Sequence, residues 1–143
     1  MNLLKNIDIE RVMISYGAGT TSRNGDFVDM AGWDGVVFIA LFGTIVDASV
    51  ITLKAAQASD VQGSDVAELS GTAQKTASSS SEGLLVLDVY RPEERYVRPE
   101  IEISAQNAEI DGVIAIKYKG RKAPVSLHSD VLDSEVLVSP AEA

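Results

Sequence analysis

One stretch of the chain, residues 95–104, constrains the fold more than any other. From Val97 onward its odd positions are apolar or Pro99, and its even positions are polar or charged. A period of two is typical of a strand with one buried face, whereas a helix would spread the charges around its circumference. Because Pro99 has no N–H to donate, the pattern predicts a strand at a sheet edge or one that starts anew after the proline. The other apolar positions are Ile101 and Ile103, and the polar ones are Arg98, Glu100, Glu102 and Ser104.

Four further segments also have strand patterns. Residues 36–42 form an uninterrupted apolar run between glycines, which predicts a central strand buried on both faces. Alternation predicts strands over 48–55 and 84–91, and an Asp-Gly turn precedes another strand over 113–119. Helical pattern is confined to one or two turns within 1–12, so we expect an all-β chain, a meander of about six to eight strands. The predicted core consists of Val37, Ile39, Leu41, Leu87, Val89, Ile101, Ile103 and Ile116.

Size and composition are those of an ordinary single-domain globular protein. The chain has 143 residues, of which 45% are hydrophobic and 23% charged, so it is too apolar to be disordered. Its net charge of −9 repels phosphate backbones, and we expect no nucleic-acid partner. The longest apolar run, residues 36–42, is far shorter than the roughly 20 residues of a membrane span. Charges near the N-terminus disfavour a secretory signal, so we expect synthesis in the cytoplasm and no membrane partner.

Two segments differ in composition from the predicted strands. Residues 56–83 are rich in Ala, Ser, Gln, Asp and Gly, which is typical of a surface excursion. Residues 124–143 contain four acidic side chains and no Lys or Arg, together with several large apolar residues. A segment this apolar and too short to fold alone is expected to dock against protein. The predicted organisation is a β domain over 1–123, which includes the excursion, and an extended docking tail over 124–143.

The chain offers few residues for catalysis or metal binding. It has no cysteine and one histidine, His128. Ser126 and Ser129 are near His128 in sequence, but nothing else in the sequence indicates a catalytic triad. We expect a solvent-facing tail histidine instead. The aspartates between residues 26 and 34 lack the spacing of an EF-hand loop and are expected to serve turns. The sequence therefore predicts no catalytic residue, no cofactor and no metal site.

Two oppositely charged segments are candidate interaction surfaces. Residues 117–122 contain four basic side chains and no acidic one, whereas the tail interleaves acidic and apolar side chains. Opposite charges on separate elements of identical subunits suit a contact between neighbouring copies. Two alternatives stay open, namely a solvated strand end over 117–122 and a tail that folds back onto its own domain. The interface candidates are Lys117, Lys119, Arg121, Lys122, Val131, Leu132, Val136 and Leu137.

Seven blocks of sequence follow one another in a distinctive order, at 34–44, 50–54, 57–60, 87–92, 95–98, 120–125 and 138–142. In this order the chain, from Glu10 onward, resembles small structural proteins of tailed bacteriophages and prophages, of the capsid decoration (cement) type. The resemblance implies a small β-sandwich of jelly-roll type with no catalytic residues and no cofactor. It also implies binding to the outer surface of the capsid, with the major capsid protein and further copies of the chain, as a dimer or trimer, as partners.

Other functions stay open at this point. A head-completion, tail-tube or fibre-base protein of a phage would share the same features. An enzyme is disfavoured because the chain has a single histidine and no cysteine. A carbohydrate-binding β-sandwich would need exposed aromatic rings, and Trp33 exposed beside Tyr16 or Tyr90 would support it.

Overall fold

Nearly all of the regular structure in the computed structural model is β. The structure describes residues 2–71, 73–76, 82–121, 124 and 126–136, and only the backbone of 73–76. A short 3-10 turn, Leu3–Lys5, precedes the strands. The strands are β1 (Ile7–Met13), β2 (Tyr16–Gly19), β3 (Arg23–Asn24), β4 (Val28–Asp29), β5 (Gly35–Ile45), β6 (Val50–Ala58), β7 (Ala67–Glu68), β8 (Ala73–Thr76), β9 (Leu84–Tyr90), β10 (Tyr96–Ser104) and β11 (Ala108–Tyr118).

The strands form two antiparallel sheets that pack face to face. The first sheet has the order β1–β11–β5–β9, with β2 beside β11. The second is centred on β10 and β6, with β3 and β4 beside β10 and with β7 and β8 beside β6. The hairpin-like pairings are nested, since β1 pairs with β11, β3 and β4 with β10, β5 with β9, and β6 with β7 and β8. A long hairpin folded in this way is a jelly roll, so the predicted all-β sandwich of jelly-roll type is confirmed.

The core lies between the two sheets. Phe38 and Phe42 of β5 belong to one buried cluster with Leu53 of β6 and Ile101 of β10, and each of the four is at most 2% exposed. Full burial of such a side chain contributes about 1.5–3 kcal/mol to folding. Ile103 is 6% exposed and also belongs to this cluster. The core prediction is therefore confirmed for Ile101 and Ile103.

The core prediction is wrong for the first sheet's central strands. In β5 the side chains at 36, 38, 40 and 42 are buried, whereas Val37, Ile39 and Leu41 alternate with them and are only half-buried. Ile116 of β11 pairs with Val37 and is half-buried as well. These four residues point away from the core, because residues paired across an antiparallel sheet share a face. The predicted core residues Leu87 and Val89 of β9 are partly buried and pack against the core from its inner side.

Pro99 lies inside the second sheet, and the predicted edge position is wrong. β10 is flanked by β6 on one side and by the short strands β3 and β4 on the other. β4 pairs with β10 at residues 96 and 97 and β3 at residues 100 and 101, so the ladder is interrupted at the proline. The Pro99 carbonyl accepts the Gly25 N–H at 2.8 Å in this gap. The N–H that Pro99 lacks is therefore not needed, because the proline lies opposite the gap between β3 and β4.

The predicted strands are found with shifted bounds. The segment predicted as 48–55 continues to Ala58, and the one predicted as 113–119 already begins at Ala108. The predicted excursion thus starts later than expected and returns to the sheet, because β7 and β8 both pair with β6. Instead of helix, the N-terminal region has only the 3-10 turn followed by β1.

Candidate protein-binding surface

The outer face of the first sheet is apolar. Ile39 of β5 lies between Ile114 of β11 and Val86 of β9, and its neighbour Val37 pairs with Ile116. Since paired residues share a face, these side chains form rows across the sheet, and the row through Val37 ends on β9 in the exposed Asp88. Val86 is 49% exposed and Leu84 is 59% exposed. We call this surface the apolar face, and it consists of Ile9, Val37, Ile39, Leu41, Leu84, Val86, Ile114 and Ile116.

The outer face of the second sheet has the opposite character. Lys54 of β6 donates to Glu68 and to Glu102, each at 2.6 Å. Hydrogen bonds to Glu102 and then to Glu68 raise the pKa of Lys54 above its usual range. The Glu68 and Glu102 side chains are 59% and 52% exposed, whereas the Lys54 side chain is only 13% exposed. The outer face of the second sheet therefore carries paired charges at this point, in contrast to the apolar outer face of the first sheet.

Aromatic and basic side chains stand at one end of the apolar face. The rings of Tyr90 and Tyr118 are stacked with 6.5 Å between their centroids. Tyr118 donates to the Asp88 carboxylate at 2.6 Å, and burial followed by this hydrogen bond raises the pKa of Tyr118 well above its usual value. Lys119 and Arg91 lie 5.4 Å and 5.2 Å from the Tyr90 ring centroid. We call these two residues the cationic rim.

The tail docks against its own domain at β1, the edge strand of the first sheet. The His128 N–H donates to the Asp8 carboxylate at 2.6 Å, and the Arg11 N–H donates to the Asp130 carboxylate at 2.9 Å. Val131 and Asp130 then line a groove of about 320 Å³ at the border of the apolar face. We call residues 126–131 the tail root. It covers an edge strand that would otherwise present unpaired backbone groups.

One interface candidate, Lys117 of β11, is buried next to β1, close to the tail root. The Lys117 ammonium lies 3.3 Å from Asp8 and 3.2 Å from Glu10, and its side chain is only 9% exposed. It also lies 5.3 Å from the Trp33 ring centroid. The His128 Nε2 atom is 3.5 Å from Glu10 and the His128 side chain is 39% exposed, so this histidine contacts β1 and remains partly exposed to solvent. Lys117 is therefore a buried counter-ion, and the prediction that it forms a docking surface is wrong.

The other interface candidates lie near the surface or outside the described residues. Lys119 and Arg121 are exposed, and Val131 is half-buried in the groove. Leu132 is 96% exposed and Val136 is 43% exposed. Lys122 and Leu137 lie outside the described residues.

A second, polar cleft lies beside Trp33. It has a volume of about 560 Å³, and its lining includes Arg91, Arg95 and Arg121. Arg95 makes two hydrogen bonds of 2.9 Å to Asp29, which lower the pKa of that carboxyl. Trp33 itself is partly buried and packs against the core, so it does not form an exposed aromatic platform for a sugar.

The described residues contain no group of three or more metal-ligating side chains able to hold an ion. They also contain no helix long and apolar enough to cross a membrane.

The sequence prediction missed the apolar face. Val37, Ile39 and Leu41 were assigned to the core because residues 36–42 are apolar at every position, and Ile116 was assigned there with them. A signal was present in β9, where Leu84 and Val86 alternate with the inward-facing side chains and extend the apolar character to the other side of the sheet.

No protein-family model and no curated protein matches this chain. Among solved structures it is similar to the N-terminal CBM22-1 and GH10 modules of the Clostridium thermocellum endo-1,4-beta-D-xylanase 10B, solved with xylohexaose. That match has a TM-score of 0.47 and 10% identity, and it covers 88% of this chain and 30% of the other. A second match, Eiger TNF from S. frugiperda, has a TM-score of 0.39 and 8% identity over 78% of this chain and 96% of the other. The chain thus spans under a third of the length of the xylanase, and the fold assignment rests on its own strand pairing.

Proposed function

We propose that this chain is a non-enzymatic virion structural protein of the decoration type, which binds the outer surface of a phage capsid and stabilises contacts between capsomers. The single observation that carries the proposal is the apolar face. A sandwich with one solvated outer face and one apolar outer face has a side to bury against protein. The jelly roll supports the proposal, because this architecture recurs in viral capsid domains.

The partners of the proposed function are the major capsid protein and other copies of the chain. A surface of four short strands supports only a modest interface per copy. On a capsid the same contact is repeated many times, and repeated modest contacts hold a shell together through avidity. The proposed location is therefore the capsid exterior. Head-completion, tail-tube and fibre-base roles are the alternatives within the same class.

Sedimentation with purified phage particles tests the proposal. The chain is mixed with expanded, DNA-filled heads or with free tails of the phage or prophage whose genome carries the sequence. We expect it to pellet with heads and not with tails. Binding to tails alone would contradict a decoration role and favour one of the alternatives, and binding to neither would contradict the proposed class.

A matched pair of variants tests whether the apolar face takes part. Val86 on the face is 49% exposed, and Val61 in the loop after β6 is 53% exposed. Val86→Asp is expected to lower head binding by about tenfold or more, because a carboxylate would be buried without a partner. Val61→Asp carries the same chemical change at a similar exposure and is expected to bind like the parent. Equal loss in both variants would show that the face is not involved.

A further inference from the structure

We infer that the apolar face of one copy receives the tail of a second copy. The inserted segment, which we call the arm, consists of residues 132–138 directly after the tail root. This inference rests on the proposed function insofar as both treat the apolar face as an assembly surface. It adds the identity of the occupant, which is a second copy of this chain.

The first argument is the position of the root. Asp8 accepts the His128 N–H and Asp130 accepts the Arg11 N–H, so the root is held against β1, and Val131 lines the groove opposite Leu41 of the face. The arm therefore leaves the domain from a fixed point at the border of the apolar face. A segment whose base is already ordered loses less conformational entropy when it binds.

The second argument is the exposure of the arm. Leu132 follows directly after the half-buried Val131 and yet is 96% exposed, and Val136 is 43% exposed. Residues 132–136 are thus exposed, whereas a segment docked across the face of its own domain would be buried there. The sequence continues with Leu137 and Val138, so the arm is apolar well beyond the root. The described arm residues 132–136 and the face residues Leu84 and Val86 are exposed in the single copy, and both surfaces are covered when copies exchange arms.

The third argument is charge. The arm contains Asp133 and Glu135 and no basic residue. The apolar face is bordered at its tyrosine end by the cationic rim, Lys119 and Arg91, and both residues are exposed. Complementary charge around an apolar contact selects the correct partner and its orientation. Asp88 also lies on this face, where it accepts the Tyr118 hydroxyl, so the charge match with Asp133 and Glu135 is confined to the cationic rim.

The fourth argument is size. Four strands spaced about 4.8 Å apart, with rows of outward side chains over about 20 Å of strand, form a face of roughly 300 Å². A stable interface needs about 800 Å² per partner, so two such faces packed directly against each other are too small. An extended seven-residue arm is about 23 Å long and matches the length of the face. Two exchanged arms on two faces bury roughly 1,200 Å² in total, which lies at the lower end of the range of specific complexes.

Self-association without any capsid tests the inference. Analytical ultracentrifugation of the full chain is expected to show a closed oligomer at micromolar concentration. Leu132→Asp on the arm and Val86→Asp on the face are each expected to weaken association by about tenfold or more, and Val61→Asp by less than about twofold. Leu132 is almost fully exposed, so its substitution leaves folding unaffected. A monomeric parent chain, or an oligomer indifferent to Leu132→Asp, would overturn the inference.

Cross-linking decides whether the arm crosses to another copy. The chain has no cysteine, so single thiols can be introduced without interference. A mixture of Leu132→Cys and Val86→Cys proteins of different mass, treated with a short bismaleimide, is expected to give the mixed dimer as the main product. The double variant is expected to give covalent oligomers. A cross-linked monomer as the main product of the double variant would show that the arm binds its own domain and would overturn the inference.

The two experiments separate the inference from the proposed function. An oligomer that depends on the arm but does not bind heads would retain the inference and reject the decoration role. A monomeric chain that still binds heads through Val86 would reject the inference and retain the decoration role.

Discussion

At the scale of single residues, the least expected feature is Lys117, a buried cation on a strand of the first sheet. It pairs with Asp8 and Glu10 of β1, and all three side chains are at most 13% exposed. Asp8 at the same time accepts the backbone N–H of His128. A buried ionic group of this kind adds little net stability, but loss of one partner leaves uncompensated charge. The cluster thus couples the tail root to the sheet.

Substitution of Lys117 is expected to be strongly destabilising. Lys117→Met should lower the free energy of unfolding by about 3–5 kcal/mol, because two buried carboxylates lose their counter-ion. Lys119→Met, two residues along and exposed, should change it by less than about 0.5 kcal/mol. Urea denaturation measures both, and Asp8→Asn added to Lys117→Met should recover part of the loss. Equal values for the two methionine variants would contradict the buried pairing.

At the scale of elements, β5 is a strand with two apolar faces and two different roles. Phe38 is fully buried in the core, whereas the adjacent Ile39 lies on the apolar face between Ile114 and Val86. A shift of register by one residue would exchange these roles. The phenylalanines at 38 and 42 favour the observed register, because the larger side chains fill the space between the sheets.

The orientation of β5 has a measurable consequence. Phe38→Ala is expected to lower the free energy of unfolding by about 3–5 kcal/mol, as for other buried aromatic residues. Ile39→Ala should lower it by only about 1 kcal/mol, because its side chain is half-buried in the single copy. Both are best measured by urea denaturation in the Leu132→Asp background, where the face is not covered by an arm. A larger effect at Ile39 than at Phe38 would reverse the assignment of the two faces.

At the scale of the whole molecule, the nested pairing joins both ends of the chain to one core. β1 pairs with β11, and β10 pairs with β6, so neither sheet is built from a contiguous piece of sequence. Removal of any central strand would open the core along its length. We therefore expect the 143-residue chain to unfold as a single cooperative unit.

Ile103 provides the test of cooperativity. Ile103→Ala, at a site that is 6% exposed, should lower the free energy of unfolding by about 2–5 kcal/mol. The unfolding transition can be followed by Trp33 fluorescence, which reports on the loop before β5, and by far-ultraviolet circular dichroism, which reports on all strands. The midpoints measured by the two signals should shift by the same amount. Two separate transitions would show that the sheets unfold independently.

The sequence by itself determined that this chain is all-β, with strands over the segments of alternating pattern. Alternation in 95–104 and 84–91 specifies strands from local pattern alone, and the predicted burial of Ile101 and Ile103 is confirmed because only one face of that strand is apolar. The apolar composition of the tail predicted docking, and the structure places His128 and Asp130 in hydrogen bonds with β1. These features depend on neighbouring residues in the chain, so a local pattern is sufficient.

Only the tertiary structure decided which apolar surface is the core and which is the candidate site. When both faces of β5 are apolar, period two cannot choose between them, and the choice is made by the strands that pair on either side. The same holds for Lys117, whose partners Asp8 and Glu10 lie at the other end of the chain. Three further basic residues follow within five positions, at 119, 121 and 122, and this run suggested an interaction surface. Burial and pairing between distant segments leave no periodic trace in the sequence, because they arise only when the sheets close.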